Sequence, residues 1–144
     1  MGLRAGLGAL LGRRPEPTGR GHDPIGPAGE RVAARRLKRR GYRVIARNVR
    51  TGQGEIDLVC LAPDRATVVF VEVKTRRVRD GGALAQRPET SVGARKQEKL
   101  RRLAREVARK RGWTDWPLRI DVVAVEWPAQ GRPMVRHTER AVRG

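Results

Sequence analysis

Two stretches decide the fold: Gly54-Glu55-Ile56-Asp57-Leu58-Val59 and Phe70-Val71-Glu72-Val73-Lys74-Thr75. Both are short apolar runs with several β-branched residues, a pattern that predicts two buried β-strands. Three carboxylates and one lysine interrupt these runs. A charge inside an apolar strand is costly unless it is paired or used. These four side chains are therefore the first candidates for a functional site.

The turn between the two strands determines which charged residues face each other. If Asp64 and Arg65 are the two turn residues of the hairpin, in a segment where Pro63 favours a turn, Asp57 lies opposite Glu72 and Glu55 lies opposite Lys74. All four side chains would then point to one face of the sheet, since alternate residues of a strand share a face. Carboxylates whose Cβ atoms are about 5 Å apart repel each other, unless one keeps its proton or a cation lies between them.

The same group has the chemistry of a phosphodiester-cleaving site. Oxygen ligands from Asp57 and Glu72 suit Mg²⁺ or Mn²⁺, and Lys74 could hold a water or an anionic oxygen beside the metal. A metal, a positioned water and a lysine are the parts needed for such a hydrolysis. The alternative is a solvent-facing ladder of ion pairs, in which Glu55 and Lys74 are cross-strand partners that contribute little.

Composition indicates a polyanionic partner. The chain has 33 Lys and Arg residues against 15 Asp and Glu residues, a net charge of +18. Such a surface attracts nucleic acid before anionic membrane or acidic protein. The single cysteine, Cys60, excludes an internal disulfide and a multi-cysteine zinc site, and it is interpreted as a small core residue. No run approaches the roughly 20 apolar residues of a membrane-spanning helix, so no membrane is expected and the cytoplasm is the expected compartment.

Three segments are predicted: a disordered basic arm over residues 1–24, an α/β domain over 25–127, and a basic tail over 128–144 in which Met134 to His137 could add an edge strand. Periodicity predicts a helix over Gly29 to Arg40, with Glu30 in its first turn, and a longer helix over Ser91 to Arg111. Strands are predicted over residues 42–48, 55–61, 67–75 and 118–125, with a loop over 76–88. The order α-β-β-β-α-β predicts a mixed central sheet flanked by helices.

Together these motifs resemble a known family. Glu30, Ile56-Asp57 and Glu72-Val73-Lys74 are similar to the PD-(D/E)xK nuclease signature, with Ile56 in place of the proline. Over about residues 26–127 the chain also resembles the YraN-like bacterial family, on the evidence of Gly29-Glu30, Gly54 to Val59, Phe70 to Arg76, Lys96-Gln97 and Asp121 to Ala124. This resemblance implies the restriction-endonuclease-like three-layer fold that is also expected of archaeal Holliday-junction resolvases.

The resemblance also implies roles for individual residues. The metal ligands would be Asp57, Glu72 and Glu30. Lys74 would orient the attacking water or stabilise the transition state. Glu55 is a second candidate for the place of Glu30, and Gln97 resembles a helix glutamine found near such sites. Candidate phosphate contacts follow the catalytic strand or begin the long helix: Arg76, Arg77, Arg95, Lys96 and Lys99.

The expected function is metal-dependent, endonuclease-like hydrolysis of DNA, branched DNA included, with Mg²⁺ or Mn²⁺ as cofactor. Because junction resolvases act as dimers, a homodimer is left open. Two alternatives also stay open: a non-catalytic nucleic-acid-binding protein on the same fold, and a basic protein-interaction or ribosome-associated module. For Asp121, a structural ion pair is favoured over a role in buttressing the site.

Overall fold

The computed structural model describes residues 25–78 and 92–142. The predicted arm over 1–24 and most of the predicted 76–88 loop lie outside these residues. The elements, in chain order, are α1 (Ile25–Arg39), β1 (Arg43–Thr51), β2 (Gly54–Leu61), β3 (Val68–Val78), α2 (Ala94–Arg111), β4 (Leu118–Pro128) and β5 (Met134–Val142). No helix in these two ranges combines the length and the apolar character needed to cross a membrane.

The strands form one mixed sheet in the order β1-β2-β3-β4-β5. Neighbouring strands are antiparallel except β3 and β4, which are parallel. A parallel pair needs a long crossover connection, and α2 lies within that connection. The predicted α/β class and the order α-β-β-β-α-β are confirmed. Two strands are longer than expected: β3 continues to Val78, into the predicted loop, and the edge strand suggested within 128–144 continues to Val142.

One helix packs on each face of the sheet, which gives three layers. On one face, Phe70 of β3 packs with Leu103 of α2, and the predicted core residue Trp113 is buried in the same cluster. On the other face, Val71 packs with Leu37 of α1. Because side chains alternate along β3, Glu72 and Lys74 point to the same face as Phe70, toward α2. Val73 points to the same face as Val71, toward α1.

Helix α1 begins earlier than predicted and contacts β3 directly. Because it starts at Ile25, Glu30 lies beyond the first turn, and the expected stabilisation by the helix dipole does not apply. At Gly29 a Cβ atom would overlap the side chain of Thr75. Because Gly29 has no side chain, α1 can approach the second half of β3 closely. This approach places Glu30 beside the charged residues of β3.

Candidate active site

The hairpin formed by β2 and β3 has the predicted register, but its pairing stops early. Leu58 pairs with Val71, and the ladder continues regularly to Leu61 and Val68. The two further pairs expected from this register, Asp57 with Glu72 and Glu55 with Lys74, are not formed. Strand β2 instead remains paired with β1, where Glu55 lies opposite Arg50. The two strands of the hairpin thus separate at Asp57.

Asp57 occupies this fork. Its Oδ2 accepts a hydrogen bond from the backbone N–H of Val73 at 2.7 Å, so the carboxylate replaces a strand partner. Burial raises the pKa of Asp57 to about 7; the Val73 hydrogen bond lowers it, while the charges of Glu72, Glu30 and Glu55 raise it further. A carboxyl group with such a pKa carries a proton part of the time at neutral pH. A retained proton is one of the two ways, besides a bound cation, in which neighbouring carboxylates avoid repulsion.

Asn48 of β1 joins two of the other carboxylates. It has a φ of 49°, a left-handed conformation that asparagine tolerates better than most residues. With its amide nitrogen turned toward them, Asn48 donates to Glu30 Oε2 at 3.1 Å and to Glu55 Oε1 at 3.0 Å. Burial and then the charge of Glu55 raise the pKa of Glu30, against a lowering by the Asn48 hydrogen bond. Sequence reasoning assigned no role to Asn48, because only the packing of α1 against the sheet brings the two glutamates to it.

The prediction that all four charged side chains share one face is wrong for Glu55. Its neighbour Ile56 packs in the α2 cluster, so Glu55 points the other way, toward α1 and Glu30. The carboxylates therefore approach the fork from both sides of the sheet. Glu30 and Glu55 come from the α1 side, Glu72 comes from the α2 side, and Asp57 lies between them.

On the α2 side, Glu72 is engaged by a lysine that was predicted for another role. Lys96 Nζ lies 2.9 Å from Glu72 Oε1, and the Glu72 side chain is only 13% exposed. Lys96 was a candidate phosphate contact, whereas here it neutralises a candidate metal ligand. Lys74 is partly buried on the same face, and it has no ion-pair partner within the part of the chain that the structure describes.

Of the remaining candidate site residues, two are held by contacts within the protein and three are exposed. Gln97 donates to the carbonyl of Val92 at 2.7 Å, which orders the start of α2 instead of reaching the carboxylates. Arg76 is held by Glu126 in an ion pair of 2.9 Å. Three basic side chains are exposed near the carboxyl end of β3 or on the first turns of α2: Arg77, Arg95 and Lys99. For these three exposed side chains, contact with phosphates remains a prediction.

Whether the acidic residues suit a metal ion depends on their placement. Several carboxylates that act on one another are the oxygen ligands that hard divalent cations prefer. Yet residues 25–78 and 92–142 contain no group of three or more His, Cys, Asp or Glu side chains in an arrangement that could hold a metal ion. Lys96 holds Glu72, and Asn48 holds Glu30 and Glu55. The donors fit in type, and metal ligation by Asp57, Glu72 and Glu30 remains a prediction that requires those contacts to be exchanged.

A second aspartate lies in a contrasting network on β4. Asp121 is fully buried and accepts hydrogen bonds from Arg119 at 2.8 Å, His137 Nε2 at 2.8 Å and the Arg140 backbone N–H at 3.0 Å. Burial alone would raise the pKa of Asp121, but the hydrogen bonds from His137 and Arg119 outweigh it and lower the pKa. The favoured interpretation of Asp121 as part of a structural ion pair is confirmed.

Cys60 is buried as expected. Burial, with a smaller contribution from the charge of Asp121, raises the pKa of its thiol to about 12. Since the thiolate is the reactive form, this cysteine is an inert core residue.

A mixed five-stranded sheet with one helix on each face defines the fold class of this protein as three-layer α/β. The chain belongs to Uncharacterised protein family UPF0102, whose model matches residues 29–125. This assignment confirms the YraN-like resemblance.

Similar proteins span most of the chain. UPF0102 protein STH1475 of Symbiobacterium thermophilum is 47% identical over 117 residues, which cover 81% of this chain and 94% of the relative. UPF0102 protein SCO5602 of Streptomyces coelicolor is 45% identical over 115 residues, covering 78% and 84%. Among solved structures, SfsA of Pyrococcus furiosus in complex with Ca²⁺ aligns with a TM-score of 0.37 at 18% identity, over 80% of this chain and 62% of SfsA.

Proposed function

We propose that this protein is a metal-dependent, endonuclease-like protein that hydrolyses DNA phosphodiesters, branched DNA included, with Mg²⁺ or Mn²⁺ as cofactor. The observation that carries the proposal is the fork at Asp57. There, one partly buried carboxylate is surrounded by three others, and its pKa is about 7. A buried carboxyl group whose pKa is shifted this far by burial and by neighbouring charges is a candidate for a functional site.

Each side chain has a part that its position allows. Asp57, Glu72 and Glu30 would hold the metal, which would supply a Lewis acid for the phosphoryl oxygen and a more acidic bound water. Lys74, on the same face as Glu72, would orient the water or stabilise negative charge as it develops. Lys96 and Asn48 supply the positive charge and hydrogen bonds that keep the carboxylates together in the absence of a cation.

The distribution of charge supports a polyanionic substrate. The net charge is +18, and Arg77, Arg95 and Lys99 are exposed close to the carboxylates in sequence. Such side chains can contact phosphates and hold a duplex in register without reading its bases. The resulting affinity should fall steeply as salt rises.

A second candidate function has its own support. The ion pair of 2.9 Å between Lys96 and Glu72 neutralises a carboxylate that a metal would need. A protein that binds DNA on this fold without cleaving it could keep this arrangement permanently. The two functions differ in whether the carboxylates ever take up a cation.

The test is an incubation of the protein with supercoiled plasmid, linear duplex, single-stranded DNA and a four-way junction, in Mg²⁺, Mn²⁺ or EDTA. We expect cleavage that EDTA abolishes and that Lys74→Ala reduces by about 10²- to 10³-fold. The matched control is Lys110→Ala, which removes an exposed lysine of α2 that pairs with Glu106 and should leave the rate unchanged. Cleavage that survives both EDTA and Lys74→Ala would refute the proposal. Binding without cleavage would favour the non-catalytic function.

A further inference from the structure

A basic groove with a volume of about 350 Å³ lies between the outer side of α1 and the end of the β4–β5 hairpin. Its walls include Arg35, Arg36, Arg39, Trp127, Arg132 and Val135. None of these residues was among the candidate site residues. They come from widely separated parts of the chain, so that only the packing of α1 against β4 and β5 brings them together.

The charge of this groove is not compensated. Among the residues that the structure describes, four arginines line it and no acidic side chain does. Within the two described ranges none of these arginines forms an ion pair. Arg36 and Arg39 lie in the last turn of α1, where the helix dipole favours a cation, but this explanation does not extend to Arg35 or to Arg132. Four guanidinium groups around one groove repel each other and together attract an anion with several oxygens, such as a row of phosphates.

The groove also contains an aromatic side chain. Trp127 packs partly against the core cluster under α1 and keeps part of its surface in the groove. An indole ring beside arginines can stack an unpaired base while the guanidinium groups contact its phosphates. In a duplex the bases are stacked on one another and cannot occupy such a groove. An acidic peptide would use the arginines but would make no specific use of the ring.

The groove lies on the α1 face of the sheet, on the opposite side from Lys74 and a few residues farther along the strands. In the parallel ladder Lys74 pairs with Ala124, and Arg77 pairs with Trp127. At about 3.3 Å per residue, the two positions are about 10 Å apart along the strands. Arg77 is exposed and points to the α1 face, because it alternates with Arg76. It therefore extends the positive surface from the end of β3 to the groove.

We propose that this groove binds an unpaired segment of nucleic acid, with one base stacked on Trp127 and the flanking phosphates contacting Arg35, Arg36, Arg39 and Arg132. This inference deepens the proposed function, because it assigns to the substrate a single-stranded end, flap or gap. It rests on the proposed function only in taking nucleic acid as the partner. It does not require that the acidic site cleave.

The experiment measures binding in EDTA, so that the result does not depend on cleavage. Fluorescein-labelled single-stranded DNA and a blunt duplex of the same sequence are titrated with the full chain, and fluorescence anisotropy is recorded over a series of salt concentrations. We expect Trp127→Leu to weaken binding of the single strand by at least 5-fold, because stacking of one base contributes about 1–3 kcal/mol. Binding of the duplex should not change, and Trp127→Phe should restore much of the loss.

Charge is tested with two matched double variants. Arg35→Ala with Arg39→Ala removes two arginines one helical turn apart from the groove, whereas Arg105→Ala with Arg109→Ala removes two at the same spacing from α2. The α2 pair lines another groove, which contains Glu106 and no tryptophan. We expect the α1 pair to weaken single-strand binding more and to lower the slope of log affinity against log salt by about 1 to 2.

Three results would overturn the inference. The first is an equal loss from both arginine pairs, which would indicate diffuse attraction by the whole surface. The second is unchanged single-strand binding by Trp127→Leu when its melting curve shows that it is folded. The third is an acidic peptide, such as poly-glutamate, that binds more tightly than the single strand and loses affinity on Trp127→Leu. Failure of the cleavage assay alone would leave these measurements interpretable.

Discussion

Asp57 and Asp121 are two aspartates of the same sheet with opposite surroundings. Each lies within an apolar strand, Asp57 in β2 and Asp121 in β4. Asp121 accepts hydrogen bonds from two cationic or potentially cationic side chains and a backbone amide. Asp57 accepts one from a backbone amide and otherwise feels the charges of three carboxylates. The pKa of Asp121 is lowered, and that of Asp57 is raised to about 7.

This contrast separates an aspartate whose charge is stabilised by its partners from one whose charge is not. At Asp121 the hydrogen bonds from Arg119, His137 and the Arg140 backbone stabilise the charge, so that the network joins β4 to β5. At Asp57 burial and then the charges of three neighbouring carboxylates disfavour the ionised form, against one hydrogen bond from Val73. A proton or a cation relieves this cost. Such an arrangement lowers the stability of the fold but can favour the binding of a cation. Functional sites commonly reduce stability in this way.

The largest expected effect is the loss of stability from Asp121→Asn. Removing this charge leaves Arg119 and His137, whose side chains are 14% and 1% exposed, without their buried partner. Breaking a buried pair in this way costs about 3–5 kcal/mol. Urea denaturation at pH 7 measures it, with Asp115→Asn, an exposed aspartate of the connector before β4, as the control. A loss as small as that of the control would mean that the network contributes little.

The pH dependence of Asp121 has a definite sign. Its pKa is lower in the folded protein than in the unfolded chain. Its contribution to stability is therefore fully present above the unfolded value near 4 and is lost as the pH falls below it. The difference in unfolding free energy between wild type and Asp121→Asn should shrink on acidification.

The next effect has the opposite sign: Asp57→Asn should stabilise the protein at neutral and alkaline pH. The pKa of Asp57 rises from 3.8 to about 7 on folding. Below pH 4 Asp57 is protonated in both the folded and the unfolded protein. As the pH rises from 4 to 7, the unfolded chain loses this proton before the folded protein does. The wild type therefore loses up to about 4 kcal/mol of unfolding free energy over this range. The asparagine side chain of the variant would keep the hydrogen bond from Val73 without the charge.

The measurement is the difference in unfolding free energy between Asp57→Asn and wild type from pH 4 to pH 8, without divalent cations. It should grow from near zero across this range and then level off. Asp115→Asn provides the baseline for an exposed aspartate. A difference that does not change with pH would show that folding does not raise the pKa of Asp57.

The sequence was sufficient for the parts of this contrast that depend on local pattern. The register of β2 with β3 followed from placing the turn at Asp64 and Arg65, and the pairing of Leu58 with Val71 confirms it. What the register could not reveal was that the pairing stops there. There the backbone N–H of Val73 donates to the side chain of Asp57, a contact that the strand pattern does not reveal.

Contacts between elements that are distant in sequence could not be predicted from the sequence either. Glu30 was nominated by family resemblance, because a helix glutamate has no detectable relation to a hairpin in the sequence. Lys96 could be placed on the correct helix, but the way that α2 packs against the sheet decides that it reaches Glu72. His137 was given no role, and its partnership with Asp121 exists only because β5 pairs with β4.

The smallest effect concerns Lys96, which makes the acidic site resemble Asp121 in one respect by supplying a cation. If Glu72 is a metal ligand as proposed, the ammonium group 2.9 Å away competes with the metal. Lys96→Ala should then tighten Mn²⁺ binding by about 5- to 10-fold, equivalent to about 1–1.4 kcal/mol, as measured by calorimetry at pH 8, where Asp57 is ionised. At pH 6 binding should be weaker in both proteins, since Asp57 then holds its proton. Lys110→Ala, which breaks the surface pair with Glu106, should match the wild type.

Weaker Mn²⁺ binding by Lys96→Ala would instead assign Lys96 to holding Glu72 in place, and the acidic fork would need its lysine as Asp121 needs its arginine.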